Sequence, residues 1–217
     1  ISQVVHLPIF SKLKNVSIEA VAEINKNRLL ALGEKFNIPK RFTDYTELLK
    51  ETNIDAVIIA TPTSTHHEIS IAALKAGKHI FVEKPIASNL IQTNELIKIA
   101  KQKNCILFVG HIFLQNEIFK KIIQINKNEN IQHINFEWNK FGTFDEDIFL
   151  NLLSHDLSII LKLFGNPKQT KLLSSIGVVS KSDIITLNLN FGQNKKCQIY
   201  LNRHSSYTKK TVSILTN

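Results

Sequence analysis

The sequence predicts an α/β protein in two parts: a domain built on a parallel sheet, followed by an α+β domain with a largely antiparallel sheet. Three observations predict it. Short apolar runs such as Ala56–Ala60, Ile80–Val82 and Ile106–Val109 alternate with longer amphipathic stretches, which is the signature of strand–helix–strand units around a parallel sheet. That pattern stops near Gly110. Beyond it, "DIITLNLNF" and "KCQIYLN" alternate apolar and polar residues one by one, as strands with one covered and one wet face do.

The first part opens with an apolar stretch, Gln3 to Leu13, whose Val4, Val5, Leu7, Ile9 and Phe10 suit a buried helix that tolerates Pro8 only near its first turns. Ile18 to Ala22 reads as a strand ending at Glu23. A helix follows from Leu29 to Phe36. Asp44, with Glu47 three residues on, has the form of a capping box for a helix over Tyr45–Glu51. The strand Ala56–Ala60 leads through Thr61, Pro62 and Thr63 into a helix over His67–Ala76, where the hydroxyls of Ser64 and Thr65 would serve as caps. Asn89 to Lys103 is amphipathic through Leu90, Ile91, Leu96, Ile97 and Ile99.

The most informative stretch is Gly77-Lys78-His79-Ile80-Phe81-Val82-Glu83-Lys84-Pro85. A buried strand bounded by Gly77 and Pro85 delivers an acid and a base at its carboxyl end. In an open parallel sheet that end faces the ligand crevice, so Glu83 and Lys84 are candidate site residues, whereas the plain alternative is a surface ion pair.

These residues do not stand alone. "AGKHIFVEKPIA", preceded by "DAVIIATPTSTHHEIS", resembles the Gfo/Idh/MocA family of nicotinamide-dependent oxidoreductases, whose signature is Glu-Lys-Pro at this strand end. "FTDYTELLKETNIDAVIIATP", "CILFVGHIFLQN" and "LNLLSHDLSIILKLFG" extend the resemblance in register over nearly the whole chain. It implies a Rossmann-type dinucleotide-binding domain over residues 1–111 and a substrate and oligomerisation domain over 112–217. It also implies NAD, with NADP as the other choice, lined by Glu23, Thr61, Pro62, Thr63, His66, Glu83 and Lys84.

Catalysis would fall to Lys84 and His155, with Asn151 and His111 on the substrate side. Asn151 and His155 are four apart and share a helix face. Relatives that oxidise sugars usually carry Asp where Asn151 stands, and an amide can orient a hydroxyl or an imidazole but cannot hold a charge. His155 then works without a carboxylate partner, or Asp156 or another acid substitutes, or activity is altered. "HDLSI" and "GHIFLQN" are most similar to the sugar-nucleotide 3-dehydrogenase branch, which commonly has Asn-Pro at Asn116-Glu117. The expected activity is hydride transfer between nicotinamide and a secondary alcohol of a sugar or sugar nucleotide; the alternative is a non-catalytic regulator that binds the same cofactor.

Composition narrows the classes. Hydrophobic residues make up 43%, enough for packed domains, and the net charge of +9 could suit an anionic ligand. Lys and Asn are scattered through loop-like stretches such as "KQKN", "NKNEN" and "GQNKK", so a solvated surface is favoured over nucleic-acid binding. No run approaches the ~18 apolar residues of a membrane helix, so no membrane partner is expected.

The two cysteines have neither metal nor disulfide-framework spacing; Cys105 is expected in the core, no metal is assigned to His66 and His67, and a reducing cytoplasm is the expected home. A homo-oligomer through the second-domain sheet is expected. The first strand and glycine turn of a dinucleotide-binding unit are absent from these residues, methionine is absent throughout, and "TVSILTN" breaks off in a strand-like run. The natural chain is therefore expected to be longer at both ends.

Overall fold

Parallel strands ending at one edge and an antiparallel sheet covered by two helices are what the computed structural model shows, for residues 1–216. Internal contacts divide the chain between Gly110 and His111 into two units. Asn217, the last residue of the expected run "TVSILTN" and of the expected second domain, lies outside the described residues.

In the first unit a π-helical segment, Ser2–His6, runs into α1 (Leu7–Phe10), and Pro8 lies at the junction of the two, at the start of α1. Then come β1 (Ala20–Ala22), α2 (Lys26–Lys35), β2 (Lys40–Phe42), α3 (Tyr45–Leu49), β3 (Ala56–Ile59), α4 (Thr63–Lys75), β4 (His79–Val82), α5 (Leu90–Gln102) and β5 (Leu107–Val109). β1 pairs in parallel with β2, and β3, β4 and β5 form a second parallel ladder in that order. Among the described residues no ladder joins β1 to β3. β2 is the strand the sequence does not announce, because Lys-Arg-Phe offers neither an apolar run nor alternation.

Side chains set the helix starts. Asn25 accepts the Arg28 N–H at 3.0 Å, Asn89 the Gln92 N–H at 3.0 Å, and Asp44 the Thr46 N–H at 2.8 Å. The expected capping box forms only on the Asp44 side, since the Glu47 carboxylate takes Lys50 Nζ at 2.7 Å instead. α4 begins at Thr63, four residues before the expected start, directly after the extended Pro62. Ser64 and Thr65 therefore lie inside the first turn; Thr65 Oγ1 donates back to the Pro62 carbonyl at 2.8 Å. Ile59, Ala73, Leu74, Ile80, Val82 and Leu96 form the core between strands and helices. Lys78 is buried by its stem, with Nζ on the carbonyl oxygens of Glu51 (2.7 Å) and Ile54 (2.8 Å).

The second unit opens with a 3-10 turn, Ile112–Gln115, and α6 (Glu117–Glu129), which Asn116 caps through the Ile118 N–H and Asn130 ends in the left-handed region at φ 48°. β6 (His133–Phe141) leads to a π-helical segment, Phe149–Leu153, continuous with α7 (Ser154–Phe164), and Gly165 closes that helix at φ 76°. β7 (Gln169–Ile176), β8 (Ile184–Gly192), β9 (Lys195–Asn202) and β10 (His204–Leu215) complete the sheet.

Among the described residues the sheet runs β10-β6-β9-β8-β7, antiparallel except where β6 pairs with β9. Ile185, Leu187, Leu189 and Phe191 of β8 and Cys197, Ile199 and Leu201 of β9 are the buried alternates the sequence predicts. They pack with Phe119 and Ile122 of α6 and with Leu152, Leu153, Ile159 and Ile160 of the long helix. Both cysteines are free; Cys197 is in this core, but Cys105 is only half-buried, since β5 starts two residues after it, at Leu107. No helix among the described residues is long and apolar enough to cross a membrane.

One polar group is set deep in this unit. Arg203, 1% exposed, spends all five N–H donors: Nε on Asp183 Oδ1 (2.9 Å), Nη1 on the carbonyls of Thr143 (2.7 Å) and Glu146 (2.6 Å), and Nη2 on Ser180 Oγ and the Ser182 carbonyl. Burial opposes the charge of Asp183, but the N–H groups of Ser180, Val178 and Val179 and the Ser180 hydroxyl outweigh it and hold the carboxyl well below the usual carboxylate range.

A carboxyl whose folded value is depressed contributes stability above its unfolded pKa and loses it as pH falls toward the folded one. The unfolding free energy should therefore decline below about pH 5, with a shallower decline in Asp183→Asn. Arg203→Met, which leaves a buried carboxylate unpaired, should cost about 3–5 kcal/mol in denaturant unfolding at neutral pH.

Candidate active site

At the exits of the parallel strands the first unit gathers most of the residues the sequence singles out. Glu23 follows β1, and its N–H still donates to the Phe42 carbonyl of β2 at 3.0 Å. Its carboxylate is engaged on both oxygens: Oε1 accepts the Asn25 N–H at 2.9 Å and Oε2 accepts Arg28 Nη1 at 3.1 Å. An acid at this strand end that is partly neutralised by Arg28 can accept hydroxyl hydrogens, and the same Arg28 could meet a phosphate.

β3 exits into Thr61 and Pro62, both exposed, and Thr63, where α4 starts. β4 exits into Glu83, Lys84 and Pro85, with a cis peptide bond between Lys84 and Pro85. The two exits are tied together by His66, 1% exposed: its Nδ1 lies 2.7 Å from the Pro85 carbonyl oxygen and its Nε2 lies 2.9 Å from that of Thr61. This side chain, implied as a cofactor contact, thus serves as the brace between the Thr61–Pro62 turn and the Glu83–Pro85 turn. Lys84 is half-buried at the end of that braced segment.

Glu83 is held from below by a residue the sequence reading passes over. His6 Nε2 lies 2.7 Å from Glu83 Oε1, and the His6 ring packs edge-on against Phe81 at 5.2 Å. A histidine on the apolar face of the first helix was the available signal. Gly110 makes room for the arrangement, because a Cβ there would stand 3.1 Å from Glu83 Oε2 and 3.2 Å from the Phe81 ring.

In the second unit His111 starts the 3-10 turn, and Phe113 two residues later packs edge-on against His155 at 5.1 Å. Trp138 of β6 lies 5.8 Å from the same imidazole. His155 is in the first turn of α7 and buried; Asn151 precedes it within the π-helical segment, so both belong to one continuous helical stretch. Asp156, wholly buried, pairs with Lys210 Nζ at 2.6 Å, and that ammonium sits 3.6 Å from the centre of the Trp138 ring and 4.3 Å from that of Phe113.

Burial pushes the Asp156 carboxyl up against the pull of Lys210, and pushes the Lys210 ammonium down against the pull of Asp156. Asp156 is thus committed to Lys210. Sequence reasoning does not reach Lys210, a cation in a strand of alternating residues far from the histidine in the chain. The candidate residues divide between the units, with Glu23, Thr61, Pro62, Thr63, His66, Glu83 and Lys84 in the first and His111, Asn151 and His155 in the second. Among the described residues no three His, Cys, Asp or Glu side chains converge to hold a metal.

Residues 1–111 match the sequence model of an oxidoreductase family with an NAD-binding Rossmann fold, Gfo/Idh/MocA. The chain belongs to this family. Among similar proteins, myo-inositol 2-dehydrogenase of Thermotoga maritima is 32% identical over 127 residues, 58% of this chain and 38% of that protein. UDP-N-acetylglucosamine 3-dehydrogenase of Acidithiobacillus ferrooxidans is 28% identical over 195 residues, 86% of this chain and 61% of that one. Trans-1,2-dihydrobenzene-1,2-diol dehydrogenase of Mus musculus is 34% identical over 183 residues, 77% and 54% respectively.

The chain thus spans less than two thirds of the length of these relatives. A solved structure of the Acidithiobacillus ferrooxidans enzyme superposes with a TM-score of 0.87 at 24% identity, covering 97% of this chain and 66% of that one. An oxidoreductase from Agrobacterium radiobacter, solved with NAD+, L-tartaric acid and magnesium, gives 0.88 at 18%, covering 98% and 68%. These likenesses show a shared fold: a parallel dinucleotide-binding sheet followed by a mostly antiparallel domain.

The brace is testable in this family member. His66→Leu keeps the volume but removes the ring N–H that is shared between the Thr61 and Pro85 exits, so unfolding in denaturant should show a loss of about 1–3 kcal/mol. An unchanged midpoint would show that the two exits hold their places without it.

Proposed function

We propose that this chain is the core of an NAD(P)-dependent oxidoreductase that acts on a secondary alcohol of a sugar or sugar nucleotide. The observation that carries the reading is Lys84 at the exit of β4, on a turn braced by His66 and backed by the His6–Glu83 pair. A rigid element presenting a cation at a strand's carboxyl end is where this fold does chemistry. The relatives named for acting on inositol, UDP-N-acetylglucosamine and a dihydrodiol support an alcohol on a ring as the substrate class.

The cofactor's nicotinamide supplies the hydride acceptor or donor when bound. The residues present fit an adenosine ribose at Glu23, whose carboxylate can accept its hydroxyls, and a nicotinamide end beside the Thr61–Thr63 and Glu83–Lys84 turns. Lys84 directs its ammonium to the substrate hydroxyl and lowers the cost of developing negative charge on that oxygen. Neutral His155 takes the hydroxyl proton, and Asn151, one turn before, orients the hydroxyl or the imidazole by hydrogen bonding. His111 contributes to the substrate side.

A second reading is favoured by Asn151 itself. Without an acid at that position the chain would serve as a cofactor-binding regulator, and turnover of a sugar or nucleotide-sugar panel by the full-length protein separates the two.

Two outcomes are expected. Lys84→Ala and His155→Ala should each lower turnover by roughly two to four orders of magnitude with little change in NAD affinity, and Lys84→Arg should fail nearly as badly because a planar fork does not replace a compact ammonium. Unchanged turnover in both alanine variants would remove them from the chemistry.

NAD should bind more tightly than NADP, and Glu23→Ala should reverse the order by roughly tenfold as Arg28 is released to meet the 2′-phosphate. Paired dissociation constants for the two cofactors decide it. Tighter NADP binding by the unaltered protein would show that Arg28 already prevails over Glu23.

A further inference from the structure

Phe113 and Trp138 are shared by two groups. Their rings pack on the imidazole of His155 at 5.1 Å and 5.8 Å, and they also carry the ammonium of Lys210 at 4.3 Å and 3.6 Å. Lys210 stands opposite Trp138 in the β10–β6 ladder, so the contact is fixed by strand register. Its counter-ion, Asp156, is the chain neighbour of His155 and lies wholly buried at the start of α7.

A buried carboxylate beside an imidazole favours the imidazolium, and a buried ammonium favours the neutral ring. Paired at 2.6 Å, the two charges offset each other where His155 sits. The aromatic faces act in the same direction: with the Lys210 ammonium already on them, a second cation on the same two rings meets like charge.

We propose that Lys210 is a positioning residue for His155: by neutralising Asp156 and seating on Trp138 and Phe113, it keeps the imidazole neutral and fixed in the orientation that accepts a proton. The inference rests on the reading of His155 as the proton acceptor. Within its unit the described charged and titratable groups linked to that ring, to its aromatic partners or to the ion pair are Asp156 on its own helix, Lys210 on β10, Lys140 on β6 (6.0 Å from the Trp138 ring), His111 at the start of the turn that carries Phe113, and Cys197 on β9, which feels the Asp156 charge. Burial, with the Asp156 charge adding to it, pushes the Cys197 thiol up, so it stays protonated and uncharged.

The test is a charge cycle in the full-length protein. Wild type, Lys210→Met, Asp156→Asn and the double variant are compared by NMR titration of the His155 ring, assigned against His155→Gln, and by turnover as a function of pH. Lys210→Met leaves the carboxylate uncompensated and should move the His155 titration up by roughly one pH unit; Asp156→Asn leaves the ammonium and should move it down by a similar amount. The double variant, with neither charge, should return to the wild-type value.

A structural role alone predicts no opposed and cancelling shifts. Single variants that titrate as wild type, or that shift in the same direction, overturn the proposal, as does a double variant that fails to return. Should the unpaired carboxylate prevent Lys210→Met from folding, Asp156→Asn and the double variant decide by the same criteria. Lys210→Arg, which keeps the charge, should titrate as wild type, and a shift there also overturns it. The rising limb of oxidation against pH should follow the ring titration. Ring shifts as expected with an unmoved turnover profile leave the charge pair standing and refute His155 as the proton acceptor.

Discussion

A buried charge is costly unless an opposite charge stands beside it and hydrogen bonds surround it, and the second unit holds two buried ion pairs that meet this cost to different degrees. At the first, Arg203 faces Asp183 through Nε and turns its Nη1 donors to the carbonyls of Thr143 and Glu146. Those carbonyls lie in the loop that precedes the helix carrying Asn151 and His155. Asp147, next in line, accepts the Phe149 N–H at 2.7 Å and receives the Asn151 N–H on its backbone carbonyl at 2.8 Å. A guanidinium on the turn after β9 thus fixes where the π-helical segment begins, and with it the direction from which His155 enters the fold. The Asp156–Lys210 pair has the counter-ion but, in place of a ring of hydrogen bonds, two aromatic faces under its ammonium.

The first unit solves a different problem by other means. Parallel strands deliver their carboxyl ends to one edge, but a strand end frays unless something beyond the ladder holds it. Here the ladders overrun their strands: the Glu23 N–H reaches the Phe42 carbonyl, the Glu83 N–H that of Ile59 and the Gly110 N–H that of Val82. Histidines then brace what lies past the last ladder bond, His66 between two carbonyls and His6 against Glu83. Lys84 thus stands between two held neighbours, Glu83 on the ladder and His6, and Pro85 on His66.

What was legible in the sequence follows from the range of the forces involved. The helix after Asn89 and the alternation of β8 and β9 are set by neighbours in the chain, so Asn89, Ile185 and Leu187 could be read directly, whereas the helix expected from Leu29 starts at Lys26 behind the Asn25 cap. The Lys84 and His155 positions were legible through the wording of their motifs. β2 was missed because a three-residue strand is defined by its partner β1 and not by its own residues. The start of α4 was placed late because Ser64 and Thr65 resemble caps, whereas Pro62 had already ended the extended chain. His6, Arg203 and Lys210 were missed because each acts on a residue far along the chain, over 77, 20 and 54 positions; only His6, on an apolar helix face, carried a local sign.

Asn151 takes on a different meaning once Asp156 is seen paired. As a missing carboxylate it looks like a loss, since an amide neither carries charge nor takes a proton. Yet if His155 is the base proposed above, excess negative charge beside it would hold its proton on. With Lys210 offsetting Asp156, the charges of that pair next to His155 sum to zero, and an acid at position 151 would tip the balance toward the imidazolium. An amide there keeps the hydrogen-bonding ability and leaves the balance alone. On the proposed reading, the departure from the pattern usual in sugar-oxidising relatives and the buried ion pair are two parts of one arrangement, in which an amide at position 151 leaves the charge of the ring to Asp156 and Lys210.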